Sequence, residues 1–137
     1  MSQENVEIVR RRNDAADRRD AESTLSAYDP DVELDTSRLG VAGLAGAGRV
    51  YHGHDGLRSF FREWHEAWEE IEYRYEELID AGEHVISLLI YRGRGRVSGA
   101  EVEMPVAIVE TFRDGKIVRV VWFLTREDAF EAAGLSE

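Results

Sequence analysis

The sequence predicts an α+β domain with its helices first and most of its strands last. Apolar residues recur at helical spacing in the first half of the chain, and later segments alternate every second residue. Strands that follow helices, rather than alternating with them, favour an antiparallel sheet over a parallel doubly wound one. The 137 residues fit one domain, which we predict over residues 1–137.

Composition excludes several functional classes. The formal net charge is −11, which argues against nucleic acid or an anionic membrane as the main partner. The chain has no Cys, so thiol catalysis and Cys-ligated metal sites are excluded. No apolar run approaches the ~20 residues of a membrane span. The first residues, "MSQENVEIVRRR", lack the apolar region of a signal peptide, so we expect a cytoplasmic protein.

Two helices are predicted to open the chain. The first covers "QENVEIVRRRNDAADRRD", with Val6, Val9, Asn13 and Ala16 on one face. The second, "AESTLSAY", is preceded by the capping residue Asp20. The residue before a proline avoids the helical region, so Pro30 ends this helix, and "DVELD" then alternates as a strand.

The centre of the chain combines a loop with the clearest helical pattern. Residues 36–50 are rich in Gly and apolar residues but lack the motifs of a nucleotide-binding loop. A flap over a cavity and a plain connection both remain open for this loop. The segment "HDGLRSFFREWHEAWEEI" predicts an amphipathic helix with Asp55 as its N-cap. Its apolar stripe consists of Leu57, Phe60, Phe61, Trp64, Trp68 and Ile71.

The last half of the chain predicts an antiparallel meander. A weak strand, "EYRYEELIDA", precedes "HVISLLIYRGRGRV", "EVEMPVAIVETF" and "KIVRVVWFLT". The dipeptide Asp114-Gly115 predicts a tight hairpin before the last strand. Thr125 and Asp128 resemble a capping box for a final helix, "REDAFEAAG".

Three segments resemble the SnoaL-like branch of the NTF2-like superfamily. They are "YDPDVELD", "VYHGHDGLRSFFREW" and "ETFRDGKIVRVVWFLTREDAFEAAGL". The resemblance covers nearly the whole chain and implies a cone-shaped barrel. In such a barrel, a curved mixed sheet, mostly antiparallel, wraps around the N-terminal helices and one long amphipathic helix. It also implies a deep cavity and a homodimer formed through the outer face of the sheet.

The same resemblance implies small-molecule chemistry without a cofactor or a metal. Relatives include ketosteroid isomerase, scytalone dehydratase, limonene epoxide hydrolase and polyketide cyclases, and others are ligand-binding proteins. We therefore expect a small hydrophobic ligand, with acid–base isomerisation, cyclisation, dehydration or hydrolysis as one hypothesis. A non-catalytic binding or dimerisation module is the alternative, since a fold does not fix a function.

Two carboxylates are candidate proton carriers. Asp35 matches the general base of ketosteroid isomerase if a one-residue gap is allowed, whereas without the gap Leu34 takes that position. Alternation places Asp35 with Glu33 on the face opposite Val32 and Leu34, which favours a solvated acidic face equally well. Glu110 is the lone acid on a strand face that is otherwise apolar, so either a pocket or a strand rim would explain it.

Other departures argue against steroid isomerase activity itself. Ile108 falls near the position of that family's oxyanion-hole Asp, and Arg12 near that of its Tyr on the first helix. The pair His52 and His54 is a weak metal motif, because spacing supplies no third ligand.

The remaining candidates are ligand-binding residues. Arg92 lies deeper in its strand than Arg94 and Arg96, for which pairing with Glu101 and Glu103 is the preferred interpretation. An aromatic stripe is usually core, but in this fold the helix also roofs a cavity. The predicted ligand-binding residues are Phe60, Trp64, Trp122, Met104, Ile108, Arg92 and His52.

Overall fold

The computed structural model describes residues 2–39, 48–96 and 98–135. Four helices lie within these ranges: α1 (Ser2–Asp17), α2 (Ala21–Leu25), α3 (Gly53–Ala67) and α4 (Arg126–Ala132). The strands in the same ranges are β1 (Tyr28–Asp35), β2 (Val50–His52), β3 (Trp68–Ala81), β4 (His84–Gly95), β5 (Glu101–Arg113) and β6 (Lys116–Phe123).

The strands form one curved sheet that does not close into a barrel. Its order is β2-β1-β6-β5-β4-β3, with β1 and β6 parallel and the other neighbours antiparallel. Register shifts interrupt the β1–β6, β3–β4 and β5–β6 pairings, and such irregularities let a sheet bend. The predicted α+β architecture, a curved mixed sheet around helices, is confirmed.

The two faces of the sheet have separate cores. The inner face packs against α1 and α3, and the outer face is covered in part by α4. Inner-face strand residues include Leu34, Leu89, Val106, Ile108, Val120 and Trp122. Outer-face strand residues include Ile86, Val109, Val121 and Phe123, against which Phe130 of α4 packs. Each strand therefore alternates between two buried layers where α4 lies.

Local rules explain the ends of several elements. Asp20 accepts a hydrogen bond from Ser23 N at 3.1 Å, and Thr125 accepts one from Asp128 N at 3.1 Å, so both predicted caps are confirmed. The hairpin at Asp114-Gly115 is also confirmed. Both residues have positive φ, 52° and 78°, as a tight turn between twisted strands requires.

Three sequence predictions about the helices are wrong. Asp55 lies inside α3 and pairs with Arg58, while His52 occupies the cap position without a side-chain bond. Trp68 begins β3 because its backbone is extended, with φ −116° and ψ 135°, so neither Trp68 nor Ile71 belongs to α3. On α1, Ala16 is exposed and Ala15 is buried.

Strand boundaries also differ from the sequence predictions. β1 begins at Tyr28 and includes Pro30, and β2, which the sequence did not predict, begins at Val50, the last residue of the predicted loop. Most of the Gly-rich loop, including Gly40, Gly43 and Gly46, lies outside the described residues, as does Val97. None of the described helices combines the length and apolarity that a membrane span requires.

Candidate functional site

A cluster of large rings lines the inner face of the sheet beneath α3. We call Phe60, Trp64, Tyr73, Tyr91 and Trp122 the aromatic cluster. Trp122 stacks on Tyr91 with ring centroids 5.4 Å apart, and Trp64 meets the edges of both rings at 5.3 Å. Edge-to-face and offset arrangements of this kind are the favourable ones for aromatic pairs. These rings contact one another and fill the space between the sheet and α3. An enclosed cavity at this position therefore stays a prediction.

One ion pair is buried at the end of this apolar layer. Arg12 of α1 donates from both terminal nitrogens to the two carboxylate oxygens of Glu110 on β5, at 2.5 and 2.7 Å. The Glu110 side chain is 1% exposed and that of Arg12 is 10% exposed. Arg12 also donates to the Tyr28 hydroxyl at 2.6 Å. The bidentate geometry joins α1 to the middle of the sheet.

Electrostatics keep the Arg12 guanidinium charged and the neighbouring phenol neutral. Burial alone would lower the pKa of Arg12, but the adjacent Glu110 carboxylate more than offsets this and holds that pKa well above its ordinary value. Burial raises the pKa of Tyr28 to about 12. Tyr28 is therefore a protonated hydrogen-bonding group throughout the physiological pH range.

Two further tyrosine hydroxyls lie near the pair without a hydrogen bond to any described residue. Tyr75 on β3 is 38% exposed, and the charges of Arg12 and Glu110 act on its pKa, which burial raises. Tyr91 on β4 is 7% exposed, and burial raises its pKa well above the ordinary value. We call Arg12, Tyr28, Tyr75, Tyr91 and Glu110 the inner polar cluster.

Ser87 adds an unpaired hydroxyl to the same face. It is 2% exposed, lies opposite Ile108 on β5, and its Oγ has no partner among the described residues. Buried polar atoms without a partner are uncommon and call for an explanation, of which a bound molecule is one.

Asp35 lies on the other side of the sheet. Its neighbour on β6 is Val121, which belongs to the outer core, so Asp35 follows the strand alternation and lies on the face opposite Leu34. Proton transfer by Asp35 stays a prediction. Ser37 donates to Asp35 through its N–H at 2.8 Å and its hydroxyl at 2.5 Å, and Arg38 donates at 3.0 Å. Burial would raise the pKa of Asp35, but these donors outweigh it and lower that pKa. The side chain fixes the turn after β1.

Arg92 and His52 lie away from the inner polar cluster, and contact of either residue with a ligand stays a prediction. Arg92 is exposed and donates to Glu103 at 2.7 Å on the outer face, as Arg94 does to Glu101 at 3.3 Å. His52 is exposed and lies directly opposite Glu33 in the antiparallel β1–β2 pair. Directly opposed residues point to the same face of a sheet, so His52 also lies on the outer side. Cross-strand charge pairing accounts for both arginines.

The remaining predicted residues are on the inner face. Phe60, Trp64 and Trp122 belong to the aromatic cluster, and Met104 and Ile108 are buried in the same core. Contact of these five residues with a ligand stays a prediction, as does proton transfer by Glu110. The arginine pairing of Glu110 was not anticipated.

Arg12 is the main functional residue that the sequence analysis missed. Its charge argued for a solvated position, yet it lies three residues after Val9 and three before Ala15, both of which are buried. Helical spacing alone therefore placed Arg12 on the inward side of α1. In the described parts of the chain, no three His, Asp or Glu residues are grouped as a metal site requires.

The architecture of the sheet and helices, together with comparisons to solved structures, defines the fold class of this protein. The fold is that of NTF2-like proteins, as shown by an NTF2-like protein from Burkholderia thailandensis E264. That structure is 29% identical, and the alignment has a TM-score of 0.76 and covers 96% of this chain and 98% of that one. An NTF2-like protein of unknown function from Burkholderia pseudomallei K96243 is 26% identical, with coverages of 93% and 95% and a TM-score of 0.75.

TerC, in a crystal structure with polyporic acid, shares the fold at 23% identity, with coverages of 96% and 98% and a TM-score of 0.74. A search of curated proteins found no match. The family model of the SnoaL-like domain matches residues 9–120. The chain therefore belongs to the SnoaL-like domain family.

Proposed function

We propose that the protein binds a small, uncharged organic molecule at the inner polar cluster. The apolar body of the ligand lies against the aromatic cluster, and a carbonyl or phenolic oxygen accepts hydrogen bonds from Tyr75 and Tyr91. One observation carries this proposal: two phenolic hydroxyls that have no hydrogen-bond partner among the described residues lie beside a buried ion pair on an otherwise apolar face.

The charge state of the cluster favours a neutral ligand. The charges of Arg12 and Glu110 cancel within their bidentate pair. The raised pKa values of Tyr75 and Tyr91 keep both hydroxyls protonated at neutral pH, so both can donate. A carbonyl oxygen is the complementary acceptor, and apolar surface with a few placed polar groups is typical of small-molecule sites. The exposed part of Tyr75 offers an approach from solvent.

A binding role is better supported than proton transfer. A general base must reach the proton that it removes, and both oxygens of Glu110 face guanidinium nitrogens at 2.5 and 2.7 Å. The second candidate is a cofactor-free acid–base isomerase, cyclase, dehydratase or hydrolase. The observation that favours it is that Glu110, at 1% exposure, is a carboxylate in a water-poor site with phenolic donors nearby.

Ligand titration followed by tryptophan fluorescence tests the binding proposal. All three tryptophans are buried on the inner side, so a ligand there changes their emission. The probes are 2-acetylnaphthalene and naphthalene, the second of which lacks an oxygen. We expect 2-acetylnaphthalene to bind more tightly than naphthalene, with calorimetry as an independent readout. Equal affinity for these two would contradict the proposed hydrogen bonds.

Matched Tyr→Phe variants locate the site. Tyr91→Phe should weaken 2-acetylnaphthalene binding by about three- to tenfold, the value of one hydrogen bond. Tyr51→Phe makes the same chemical change at a hydroxyl that bonds Glu63, away from the cluster, and should leave binding unchanged. Equal effects of both variants would place the ligand elsewhere.

Turnover separates the two candidate functions. If a substrate is identified, Glu110→Gln abolishes its turnover under the enzyme hypothesis. Unchanged turnover in a folded Glu110→Gln protein would show that Glu110 is neither the acid nor the base. Homodimerisation through the outer face and a cytoplasmic location also remain predictions, and light scattering on the purified chain tests the former.

A further inference from the structure

A groove of about 450 Å³ lies between α1, α2 and the β5–β6 turn. We call it the α1–α2 groove. One wall carries Arg11 and Ala15 of α1 and Arg18, which follows the last residue of that helix. Ala15 is 2% exposed, and its small side chain lets α2 approach α1. Lys116 closes the opposite side and donates to the carbonyl of Ser26 at 2.6 Å. The volume suits a small molecule.

The charge of the groove contrasts with that of the protein. The chain carries a formal charge of −11, yet, of the residues that the structure describes, four cationic side chains and a single carboxylate line this groove. Arg12 is neutralised by Glu110 on its inward side. Arg11, Arg18 and Lys116 remain against Asp14, which leaves two positive charges. A local field of this sign concentrates anions even when the net charge is negative.

Several donors in the groove are free to bind a ligand. Arg11 uses only Nε, for the Glu7 carbonyl at 3.4 Å, and forms no ion pair with a described carboxylate. Lys116 makes one hydrogen bond, to a carbonyl, and likewise has no described carboxylate partner. Arg18 is paired with Asp14 through Nε at 3.1 Å, and both side chains are well exposed. Asp14 is therefore the one group that opposes an anion.

We propose that the α1–α2 groove binds a small anion of charge two or more, carried by a phosphate group or by carboxylates. Arg11 and Lys116 hold the anion from opposite walls, and the outer nitrogens of Arg18 complete the site. This site adjoins the inner polar cluster through Arg12, which contacts both, but it does not depend on a ligand in that cluster.

Chemical modification of the single lysine tests this proposal in the unaltered protein. Lys116 is the only lysine in the chain, so acetylation of one side chain reports on the groove. Inorganic pyrophosphate should slow acetylation of Lys116 saturably, while the α-amino group serves as internal reference. Citrate at equal ionic strength shows whether carboxylates protect Lys116 as well as phosphate does. Sodium chloride at the same ionic strength measures how far salt alone slows the acetylation. Protection that chloride reproduces at equal ionic strength would overturn the proposal.

Variants then assign the contacts, with amide chemical shifts of Gly115 and Ser26 as the readout. Arg11→Gln and Lys116→Gln should each weaken pyrophosphate binding about tenfold, since a hydrogen bond to a charged group is lost. Asp14→Asn should tighten binding several-fold. Lys116→Arg keeps the charge and retains binding, which separates loss of charge from loss of the Ser26 contact.

Arg62 on α3 provides the matched control, because it is an exposed arginine outside the groove. Arg62→Gln should leave pyrophosphate binding unchanged. Equal weakening by Arg62→Gln and Arg11→Gln, or no tightening by Asp14→Asn, would show that the anion responds only to total charge and would refute the site.

Discussion

Each face of the sheet carries an Arg–Glu ion pair, one buried and the other exposed to solvent. Arg12 and Glu110 lie on the inner side with side chains 10% and 1% exposed, whereas Arg92 and Glu103 lie on the outer side at 63% and 51%. Both pairs include an N–O distance of 2.7 Å or less. Arg12 donates to both carboxylate oxygens of Glu110, whereas Arg92 donates twice to Oε2 of Glu103, but the larger difference between the two pairs is their access to water.

This difference predicts different consequences for the same substitution. An exposed charge that loses its partner is solvated by water, and most surface pairs contribute little to stability. A buried charge that loses its partner has no such substitute. Removal of one charge should therefore destabilise the fold at the inner pair, where the other charge stays buried, but not at the outer pair.

Breaking the inner pair should have the largest effect. Arg12→Met or Glu110→Met alone should lower the free energy of unfolding by about 3–5 kcal/mol, because each leaves one buried charge uncompensated. The double variant should recover most of the loss, since apolar residues of similar volume replace both charges. Urea unfolding followed by tryptophan fluorescence measures all three. Single losses below about 1 kcal/mol would mean that the pair is hydrated.

Removing the Tyr28 hydroxyl should have a smaller effect within the same cluster. Tyr28→Phe should cost about 1 kcal/mol, because Arg12 loses an acceptor at 2.6 Å. Tyr91→Phe removes a hydroxyl without a described partner and should cost close to nothing. If urea unfolding shows equal losses, Tyr91 has a partner that the structure does not reveal.

Ser87→Ala should stabilise the protein by about 1 kcal/mol in the absence of ligand. The substitution removes a buried oxygen that has no described partner, so a desolvation cost disappears. Thermal unfolding measures this change. Ser98→Ala is the contrasting variant, because Ser98 is exposed and its Oγ accepts a hydrogen bond from Ala100 N at 3.2 Å, so its removal should not stabilise the protein. A loss of stability instead would indicate a water molecule bound to Ser87 Oγ.

The lowered pKa of Asp35 predicts that the free energy of unfolding depends on pH through this residue. Its pKa is lowered in the folded protein, so the ionised form contributes stability above the unfolded pKa of about 4. That contribution is lost as the pH falls through the folded pKa. Asp35→Asn should therefore be less stable than the wild type at pH 7, and the gap should narrow as acid is added. Urea midpoints at pH 7 and pH 3 test this, and a constant gap would mean that the charge is immaterial.

The outer ion pair should show the smallest effect. Arg92→Met should leave the urea midpoint unchanged within error, in low salt and in 0.5 M sodium chloride. A loss comparable to that of Arg12→Met would contradict the comparison, and a loss that appears only at high protein concentration would indicate that this face is buried in a dimer.

Periodicity predicted most of the fold because short-range physics governs it. Alternation on β5 placed Met104, Ile108 and Glu110 on one face, and the structure buries all three. Helical spacing alone could not locate the end of α3, since Trp68 and Ile71 fit both a helical stripe and the inner side of a strand. The change from helix to strand occurs at Trp68, which lies opposite Gly95 in the pairing of β3 with β4.

The site was harder to predict, because it depends on which face a single charged residue takes. For Asp35, alternation already placed it with Glu33, opposite the inner layer, and the structure agrees. Arg92 was interpreted as deeper than its neighbours, but strand depth does not distinguish the two sides of a sheet. Arg92 pairs across the outer face with Glu103.

The sequence by itself determined the family, most of the order of elements and the position of Glu110 on an otherwise apolar strand face. Those features follow from local spacing and from motifs within short segments. Only the tertiary structure decided that Glu110 meets Arg12, 98 residues away along the chain, and that Tyr28 accepts from the same guanidinium. Burial of a charge depends on a partner from a distant element, and residue spacing within one segment contains no information about that partner.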